Sequence, residues 1–413
     1  MAGLYIHIPF CARKCIYCDF YSVGVKNAPW QDYLDALISE MRCRQDELTE
    51  CVDTIYIGGG TPSLMPAQML ISLVDKIKET MGEKWQPREF TIEVNPDDVT
   101  DSLVATLHRI GVNRVSMGVQ SFIDSELKAI GRRHSVEQVE VACRLLRSFS
   151  NISMDLIFGL PGQTIDSWQY SLERMISLRP QHISAYSLMY EEGTTLHLMR
   201  QQGRLEEADD EVSLKMFRML TERLRGAGYE QYEISNFALP GYESRHNSSY
   251  WAGVQYLGLG PSAHSFDGRD TRRANPSSIR DYINRFRNQS EVPFYEEEHL
   301  SDDDLYNEYI MTRLRTMRGI DISELTERFS EKRLAHFMLQ CCRHQNQGNL
   351  IREGNRVHLS EEGVLISDAV FVDIWEFHEH LYSFHLVCHL RLSALSVNGL
   401  FELCTTVLGA SVV

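Results

Sequence analysis

The chain has 413 residues, of which 43% are hydrophobic and 24% are charged, and its formal net charge is −16. That length allows two domains with ample core, and the composition is that of a soluble globular protein without a membrane-spanning segment. The acidic balance argues against non-specific nucleic-acid binding, which requires a basic surface. Ten cysteines without a secretion signal are typical of a reducing compartment, so we expect a cytoplasmic protein.

Short β-rich segments alternate with amphipathic segments through the first half of the chain. The predicted strands cover residues 4–8, 54–57, 90–94, 114–119, 153–158 and 183–188, and the predicted helices include 31–48, 66–81, 135–149, 165–178 and 208–227. Apolar strands that alternate with helices are typical of a parallel sheet covered by helices. Six such units predict an α/β fold, a partial (β/α)6 TIM-like barrel over residues 1–235, with its chemistry at the C-terminal strand ends.

Three further segments follow the predicted barrel. Residues 236–299 are rich in glycine, proline, serine and asparagine and predict a connecting region of loops with short elements. Residues 300–375 predict helices at 302–317, 322–329 and 332–345 and a hairpin that turns at Gly354-Asn355. This pattern indicates a small α+β, winged-helix-like domain, and its acidic charge argues against a nucleic-acid partner.

The tail, residues 376–413, differs from the rest of the chain. It is apolar and contains Cys404 and four histidines, namely His378, His380, His385 and His389. A histidine-rich tract can bind metal. The alternative interpretation, which we favour, is a packing or poorly ordered extension.

Three cysteines near the N-terminus, Cys11, Cys15 and Cys18, have the spacing C-x3-C-x2-C. Three thiolates in one short loop can hold three irons of a cubane cluster and leave the fourth iron open to a small molecule. The alternatives are a disulfide or a structural zinc site. Zinc normally requires four ligands, and no second C-x2-C pair occurs in the sequence. We therefore predict an iron–sulfur cluster.

Polar motifs follow the predicted strands. The run Gly58-Gly-Gly-Thr-Pro62 follows a predicted strand and allows backbone N–H groups to approach a ligand closely, although it could also be a tight turn. Glu93, Gln120 and Asp155 end later strands, and at one rim they would form a ligand site, the alternative being satisfied core groups. Arg132 could bind a ligand carboxylate bidentately or be a solvated cation at a helix end.

The run His246-Asn-Ser-Ser-Tyr-Trp251 places an imidazole, an amide and two aromatic rings within six residues. Such a set could clamp a planar ring, with His246 as an axial haem ligand. The alternative interpretation is a buried histidine in an aromatic cluster.

Together these motifs match a known family. The cysteine triplet, preceded by Tyr-Ile-His-Ile-Pro-Phe, resembles the radical S-adenosylmethionine (radical SAM) superfamily. With Gly-Gly-Gly-Thr-Pro, Glu-Val-Asn-Pro, Gly-Val-Gln-Ser-Phe, Asp-Leu-Ile-Phe-Gly-Leu-Pro-Gly-Gln-Thr and Gly-Leu-Gly-Pro-Ser-Ala-His-Ser, the chain resembles the oxygen-independent coproporphyrinogen III oxidase-like group. The resemblance extends from about residue 4 to about residue 374 and does not cover the tail.

The resemblance implies two cofactors. The cysteine triplet would ligate a 4Fe-4S cluster, and the open iron would take the amino and carboxylate groups of S-adenosyl-L-methionine. An outside donor such as flavodoxin or ferredoxin would reduce the cluster. The positions that match those holding S-adenosylmethionine are Tyr5, Gly59 and Glu93, and those that in the oxidases hold a second molecule are Tyr17, Gly60, Thr61, Gln120, Arg132 and Asp155.

Two features bear on the choice of function within this group. True oxidases carry a further cysteine two positions past the triplet, and this chain has Phe20 there. The motif that begins at His246 instead resembles the haem chaperone branch. We therefore predict a chaperone that passes haem to haem-dependent proteins, membrane-bound respiratory enzymes among them. The alternatives are an oxidase that decarboxylates coproporphyrinogen III in porphyrin biosynthesis and, less favoured, a regulatory winged-helix protein with a redox cluster.

Overall fold

The computed structural model describes residues 1–287 and 294–376. The histidines at 378, 380, 385 and 389 and the cysteine at 404, which the sequence marks as a possible metal-binding tract, lie outside the described residues.

Strands provide the frame of the molecule. They are β1 (Ala2–Ile8), β2 (Phe10–Cys11), β3 (Val23–Gly24), β4 (Val52–Gly59), β5 (Trp85–Val94), β6 (Arg114–Gln120), β7 (Ile152–Phe158), β8 (His182–Ser187), β9 (Glu230–Gln231), β10 (Asn236–Ala238), β11 (Tyr256–Leu259), β12 (His264–Phe266), β13 (Thr271–Ala274), β14 (Glu296–His299), β15 (Ile320–Asp321), β16 (Leu350–Glu353) and β17 (Arg356–Leu359).

Helices follow most of these strands. They are α1 (Trp30–Arg44), α2 (Ala67–Met81), α3 (Asp101–Ile110), α4 (Asp124–Ala129), α5 (Val136–Leu145), α6 (Ile165–Leu178), α7 (Thr195–Gln201), α8 (Asp210–Gly226), α9 (Arg245–Trp251), α10 (Ile279–Arg287), α11 (Asp302–Arg315), α12 (Ile322–Arg328), α13 (Glu331–Asn346), α14 (Glu361–Val364) and α15 (Ser367–Ile374). Their starts have physical causes: the Thr100 side chain caps α3, and Ser135 forms a capping box with Gln138 at α5.

Within the described residues, twelve strands form one mixed sheet in the order β14-β13-β12-β11-β1-β4-β5-β6-β7-β8-β10-β9. Its central strands, from β11 through β1 and β4 to β8, are all paired in parallel. The six strands predicted from the sequence are confirmed as β1 and β4 to β8. Side chains that follow several of them line one cavity, so the sheet curves around it as a partial barrel.

The two faces of the central strands differ in chemistry. On β4, Ile55 and Ile57 join the hydrophobic core, whereas Thr54 and Tyr56 alternate with them and point toward the barrel interior. Successive side chains of a strand point to opposite faces, so one strand can serve both environments. The interior is therefore polar enough to hold charged groups, and the apolar core lies between sheet and helices.

The region 236–299 is more regular than the sequence predicts. The predicted short elements are strands β10 to β14 with helices α9 and α10, and β11 pairs in parallel with β1 at the centre of the sheet, which the sequence does not predict. Gly258 lies within β11, where a Cβ atom would come 2.0 Å from the carbonyl oxygen of His264. The glycines that make this segment look like a turn are thus required by close contact between neighbouring strands.

The C-terminal part, residues 300–375, forms the expected small α+β unit. Helices α11, α12 and α13 surround a three-stranded sheet, and β16 and β17 make the predicted hairpin with Gly354 at positive φ. Among the described residues, none of the helices combines the length and hydropathy that a membrane crossing requires.

Candidate functional site

The carboxyl ends of the parallel strands open into a cavity of about 260 Å³. All the site residues that the sequence predicts, except Tyr5 and His246, line this cavity. The lining residues are Cys11, Cys15, Tyr17, Cys18, Gly59, Gly60, Thr61, Glu93, Gln120, Arg132 and Asp155. Residues from six separate segments of the chain thus meet in one cavity, as expected when polar motifs follow the carboxyl ends of parallel strands.

A histidine holds the cysteine loop against the barrel. The Nε2 atom of His7 lies 2.9 Å from the carbonyl oxygen of Tyr21, and its Nδ1 atom lies 3.0 Å from the hydroxyl of Tyr5. Burial lowers the pKa of His7 to about 4, so the imidazole is neutral at physiological pH. Tyr5 lies on β1 and does not line the cavity. It supports the cysteine loop indirectly, through its hydrogen bond to His7.

Two of the cysteine sulfur atoms accept hydrogen bonds from the cavity wall. The Thr61 hydroxyl donates to the Sγ atom of Cys11 at 3.4 Å, and the Arg132 guanidinium donates to that of Cys15 at 3.6 Å. Burial, with Cys15 nearby, raises the pKa of the Cys18 thiol to about 12. Coordination to iron would offset this cost, because a bound cation stabilises the thiolate.

The donor set fits a cluster better than a single ion. Within residues 1–287 and 294–376, no three His, Cys, Asp or Glu side chains are gathered closely enough to hold one metal ion. A cubane cluster spreads its thiolates over separate irons, so its ligands lie farther apart than those of zinc. Three thiols on the wall of one cavity fit that larger group.

The glycine run after β4 brings backbone close to the site. At Gly59, φ is +109° and a Cβ atom would lie 2.6 Å from the His7 ring, while at Gly58 it would lie 2.8 Å from an oxygen of Glu93. The Gly59 N–H donates to the Glu93 carboxylate at 3.0 Å. Positive φ and the His7 ring together favour glycine at position 59, and a side chain at position 58 would displace Glu93.

Two carboxyl groups on the cavity wall have perturbed pKa values. Burial raises the pKa of Glu93 to about 8, with a further contribution from Asp155, although the hydroxyl of Tyr56 donates to Glu93 at 2.9 Å. Burial also raises the pKa of Asp155 to about 6. Its Oδ1 atom has no hydrogen-bond partner in the described part of the chain. Such groups suit a ligand that supplies an ammonium or hydroxyl donor.

The end of β6 has strained backbone. Gln120 has φ of +69°, which is uncommon for a residue with a Cβ atom, and the strand register shifts between Gly118 and Gln120. Arg132 donates to the Gly118 carbonyl oxygen at 2.6 Å and also to Asn95. Strain of this kind concentrates at ligand sites, where it orients a side chain.

His246, like Tyr5, does not line the cavity that holds the other predicted site residues. It is 1% exposed, its Nδ1 atom lies 2.8 Å from the Thr54 hydroxyl, and its Nε2 atom lies 2.8 Å from that of Tyr250. The Tyr56 ring stacks on it with centroids 5.2 Å apart. Both ring nitrogens are therefore engaged inside the protein.

Several cavity residues are not among the site residues predicted from the sequence, and two of them are Trp251 and Arg315. Trp251 ends α9 and Arg315 ends α11, and both line the cavity. The Arg315 guanidinium lies 4.6 Å from the centroid of the Trp251 ring and pairs with buried Glu233 at 2.8 Å. No local pattern identifies Arg315, because its partners come from distant parts of the chain.

Fold and cavity together define a class of protein. A model of the radical SAM superfamily matches residues 5–175, and a model of the HemN C-terminal domain matches residues 300–366. Proteins of this superfamily use a 4Fe-4S cluster and S-adenosylmethionine.

The relatives narrow this class. "Heme chaperone HemW" of Bacillus subtilis (strain 168) is 34% identical over 378 residues, which cover 90% of this chain and 98% of the relative. HemW of Escherichia coli (strain K12) is 36% identical over 297 residues, covering 68% of this chain and 75% of the relative. The chain belongs to the HemW family.

A solved structure agrees with the fold. Coproporphyrinogen III oxidase (HemN) from Escherichia coli superposes with a TM-score of 0.77 at 22% sequence identity, covering 91% of this chain and 90% of that chain. The match confirms the α/β radical SAM fold predicted from the sequence.

Proposed function

We propose that this protein is a haem chaperone, which binds haem and delivers it to haem-dependent proteins. One observation carries the proposal: over 90% of its length the chain is 34% identical to a protein named heme chaperone HemW. We place it in the cytoplasm, with membrane-bound respiratory enzymes among its acceptors and a flavodoxin or ferredoxin as electron donor.

Phe20 supports a chaperone over an oxidase. Its side chain lies on the cavity wall beside Cys18, at the position where oxidases of this group carry an additional cysteine. A phenyl ring can neither transfer a proton nor coordinate a metal, so that part of oxidase chemistry has no counterpart here.

The cavity residues would hold the two cofactors. Cys11, Cys15 and Cys18 would ligate the cluster, which when bound supplies an electron to S-adenosylmethionine. The Glu93 carboxylate, fixed by the Gly59 N–H, would accept from the ligand ammonium group. Arg132 and Asp155, which the resemblance matches to the second S-adenosylmethionine of the oxidases, would bind a carboxylate and a hydroxyl donor of a ligand.

Cysteine ligation has a direct test. We expect Cys15→Ala to abolish the absorbance of the reconstituted cluster, because one of three thiolates is lost. Cys143→Ala is the matched control, since Cys143 lies on α5 away from the cavity. Full iron content in the Cys15 variant would contradict the assignment.

The proposed haem contact at His246 needs a rearrangement, because Thr54 and Tyr250 engage both ring nitrogens. We expect His246→Ala to weaken haem binding and change the iron coordination spectrum. A second variant, Thr54→Val, frees Nδ1 without removing the imidazole. An unchanged spectrum and affinity in both variants would remove His246 from the haem site.

The central experiment compares two activities in one sample. The protein, reconstituted anaerobically with its cluster, is expected to bind haem and to leave coproporphyrinogen III unconverted in the presence of reductant and S-adenosylmethionine. Production of protoporphyrinogen would favour the oxidase alternative and overturn the chaperone proposal.

A further inference from the structure

A second pocket lies on the far side of α9 from the cofactor cavity. It has a volume of about 60 Å³ and is formed by the end of α9, strands β11 to β13, and helices α11 and α12. Trp251 lines both this pocket and the cofactor cavity. The motif that begins at His246 therefore forms a wall between two sites.

The pocket is aromatic and rich in arginine. Its rings come from Tyr250, Trp251, Tyr256, Phe266 and Tyr309, and its cations from Arg269, Arg272, Arg313 and Arg328. Against these four cations stand two carboxylates: Glu308 pairs with Arg272 at 2.7 Å, and Glu324 pairs with Arg313 at 2.7 Å and with Arg328 at 3.4 Å. The Arg269 guanidinium has no ion pair among the described residues and remains to attract an anion.

Two polar groups of the pocket are available to a ligand. Tyr309 is 5% exposed; the neighbouring Arg313 guanidinium can only donate to its hydroxyl, so the Tyr309 O–H has no acceptor among the described residues. The guanidinium of Arg269 is exposed at the mouth. A buried O–H donor without an acceptor is costly, and an entering carboxylate supplies that acceptor.

We propose that this pocket binds a carboxylate side chain of a planar aromatic ligand, namely a propionate of haem, while the macrocycle lies outside against the aromatic rim. The volume admits such a side chain and not a tetrapyrrole. Arginine and tyrosine suit this group, because guanidinium N–H and phenolic O–H groups both donate to a carboxylate. The assignment rests on the proposed haem-chaperone function.

The experiment compares haemin with its dimethyl ester, which differs only in the propionates, by spectroscopic titration of the reconstituted protein. We expect the ester to bind roughly tenfold more weakly, as the loss of a charge-assisted hydrogen bond implies. Arg269→Gln and Tyr309→Phe should each weaken haemin severalfold and leave the ester unchanged. Arg223→Gln and Tyr242→Phe, at exposed sites outside the pocket, are the matched controls.

The outcomes separate the two proposals. Equal affinity for haemin and the ester, or haemin affinity unchanged in both pocket variants, would overturn the pocket assignment and leave the chaperone function standing. Failure of haemin to bind the wild-type protein would overturn the chaperone function itself.

Discussion

Replacing Glu93 by glutamine is expected to stabilise the cofactor-free protein above neutral pH and to weaken its binding of S-adenosylmethionine. Burial raises the pKa of Glu93 from 4.5 to about 8, so ionising this group in the folded state costs free energy. At about 1.4 kcal/mol per pKa unit the cost is at most about 5 kcal/mol. Two effects reduce it: Glu93 lines a cavity that water can enter, and the amide loses one of the two hydrogen bonds that the carboxylate accepts. We expect a net gain of about 1–3 kcal/mol.

The sign of the effect depends on pH. Between 4.5 and about 8 the folded state binds more protons at Glu93 than the unfolded state does, so the free energy of unfolding falls as pH rises. The variant lacks this contribution. Below that range the wild-type carboxyl is protonated in both states, so its ionisation costs nothing. The variant still lacks one hydrogen bond, and it should therefore be equally or less stable there.

Urea unfolding of both cofactor-free proteins across this pH range measures the difference. Glu137→Gln, at an exposed site on α5, is the control for removing a charge. A free energy of unfolding that has the same pH dependence in wild type and Glu93→Gln would refute the reasoning. So would tighter binding of S-adenosylmethionine by the variant.

Three other substitutions test the surroundings. Tyr56→Phe removes a hydrogen-bond donor to Glu93, which should raise the pKa of that carboxyl further. The binding of S-adenosylmethionine should then strengthen only at a higher pH, which calorimetry at several pH values would detect. Gly59→Ala should destabilise the protein by more than about 1 kcal/mol and reduce iron incorporation, because positive φ and a contact coincide there; Gly162→Ala, where φ is +76° but space is open, should keep full iron. Arg315→Met should cost about 3–5 kcal/mol in urea unfolding, because Glu233 is left buried without its cation, and the double variant Glu233→Leu/Arg315→Met should recover much of the loss.

The sequence predicts the central barrel well because two independent signals coincide there. Apolar strands alternate with amphipathic helices, and each polar motif directly follows a strand. Parallel strands place their carboxyl ends at one rim, so Glu93 and Asp155 line the same cavity although they are far apart in the sequence. Local pattern and fold rule are sufficient for this part of the site.

Other parts depend on contacts that no local pattern encodes. Strand β11 is four residues long and contains Gly258, so it has the appearance of a turn until β1 pairs with it. In the sequence, nothing distinguishes Arg315 from the other charged residues of α11. Only the folded chain brings it to Glu233 and Trp251. These are consequences of tertiary packing, which overrides weak local signals.

The residue types of the motif from His246 to Trp251 do not show whether its imidazole faces a ligand or the protein interior. An imidazole near two aromatic rings fits a haem ligand and a buried aromatic cluster equally well, because both need the same side chains. In the folded chain the backbone N–H groups of Arg245 and His246 donate to buried Glu89, which fixes the start of α9 inside the barrel. That anchor turns His246 inward and Trp251 toward both cavities.

The shared wall has a thermodynamic consequence for the two ligands. If a propionate enters the pocket beside Trp251 and S-adenosylmethionine occupies the cavity on its other side, a shift of that ring on binding one ligand would alter the wall of the other ligand's site. Linkage then requires haem to alter the affinity for S-adenosylmethionine by the same factor as S-adenosylmethionine alters that for haem. A wall of one indole ring, held by the Arg315 guanidinium at 4.6 Å, is a short physical path for such coupling. A chaperone built on a radical SAM scaffold can thereby make haem retention depend on its cofactor state without placing haem at the cluster.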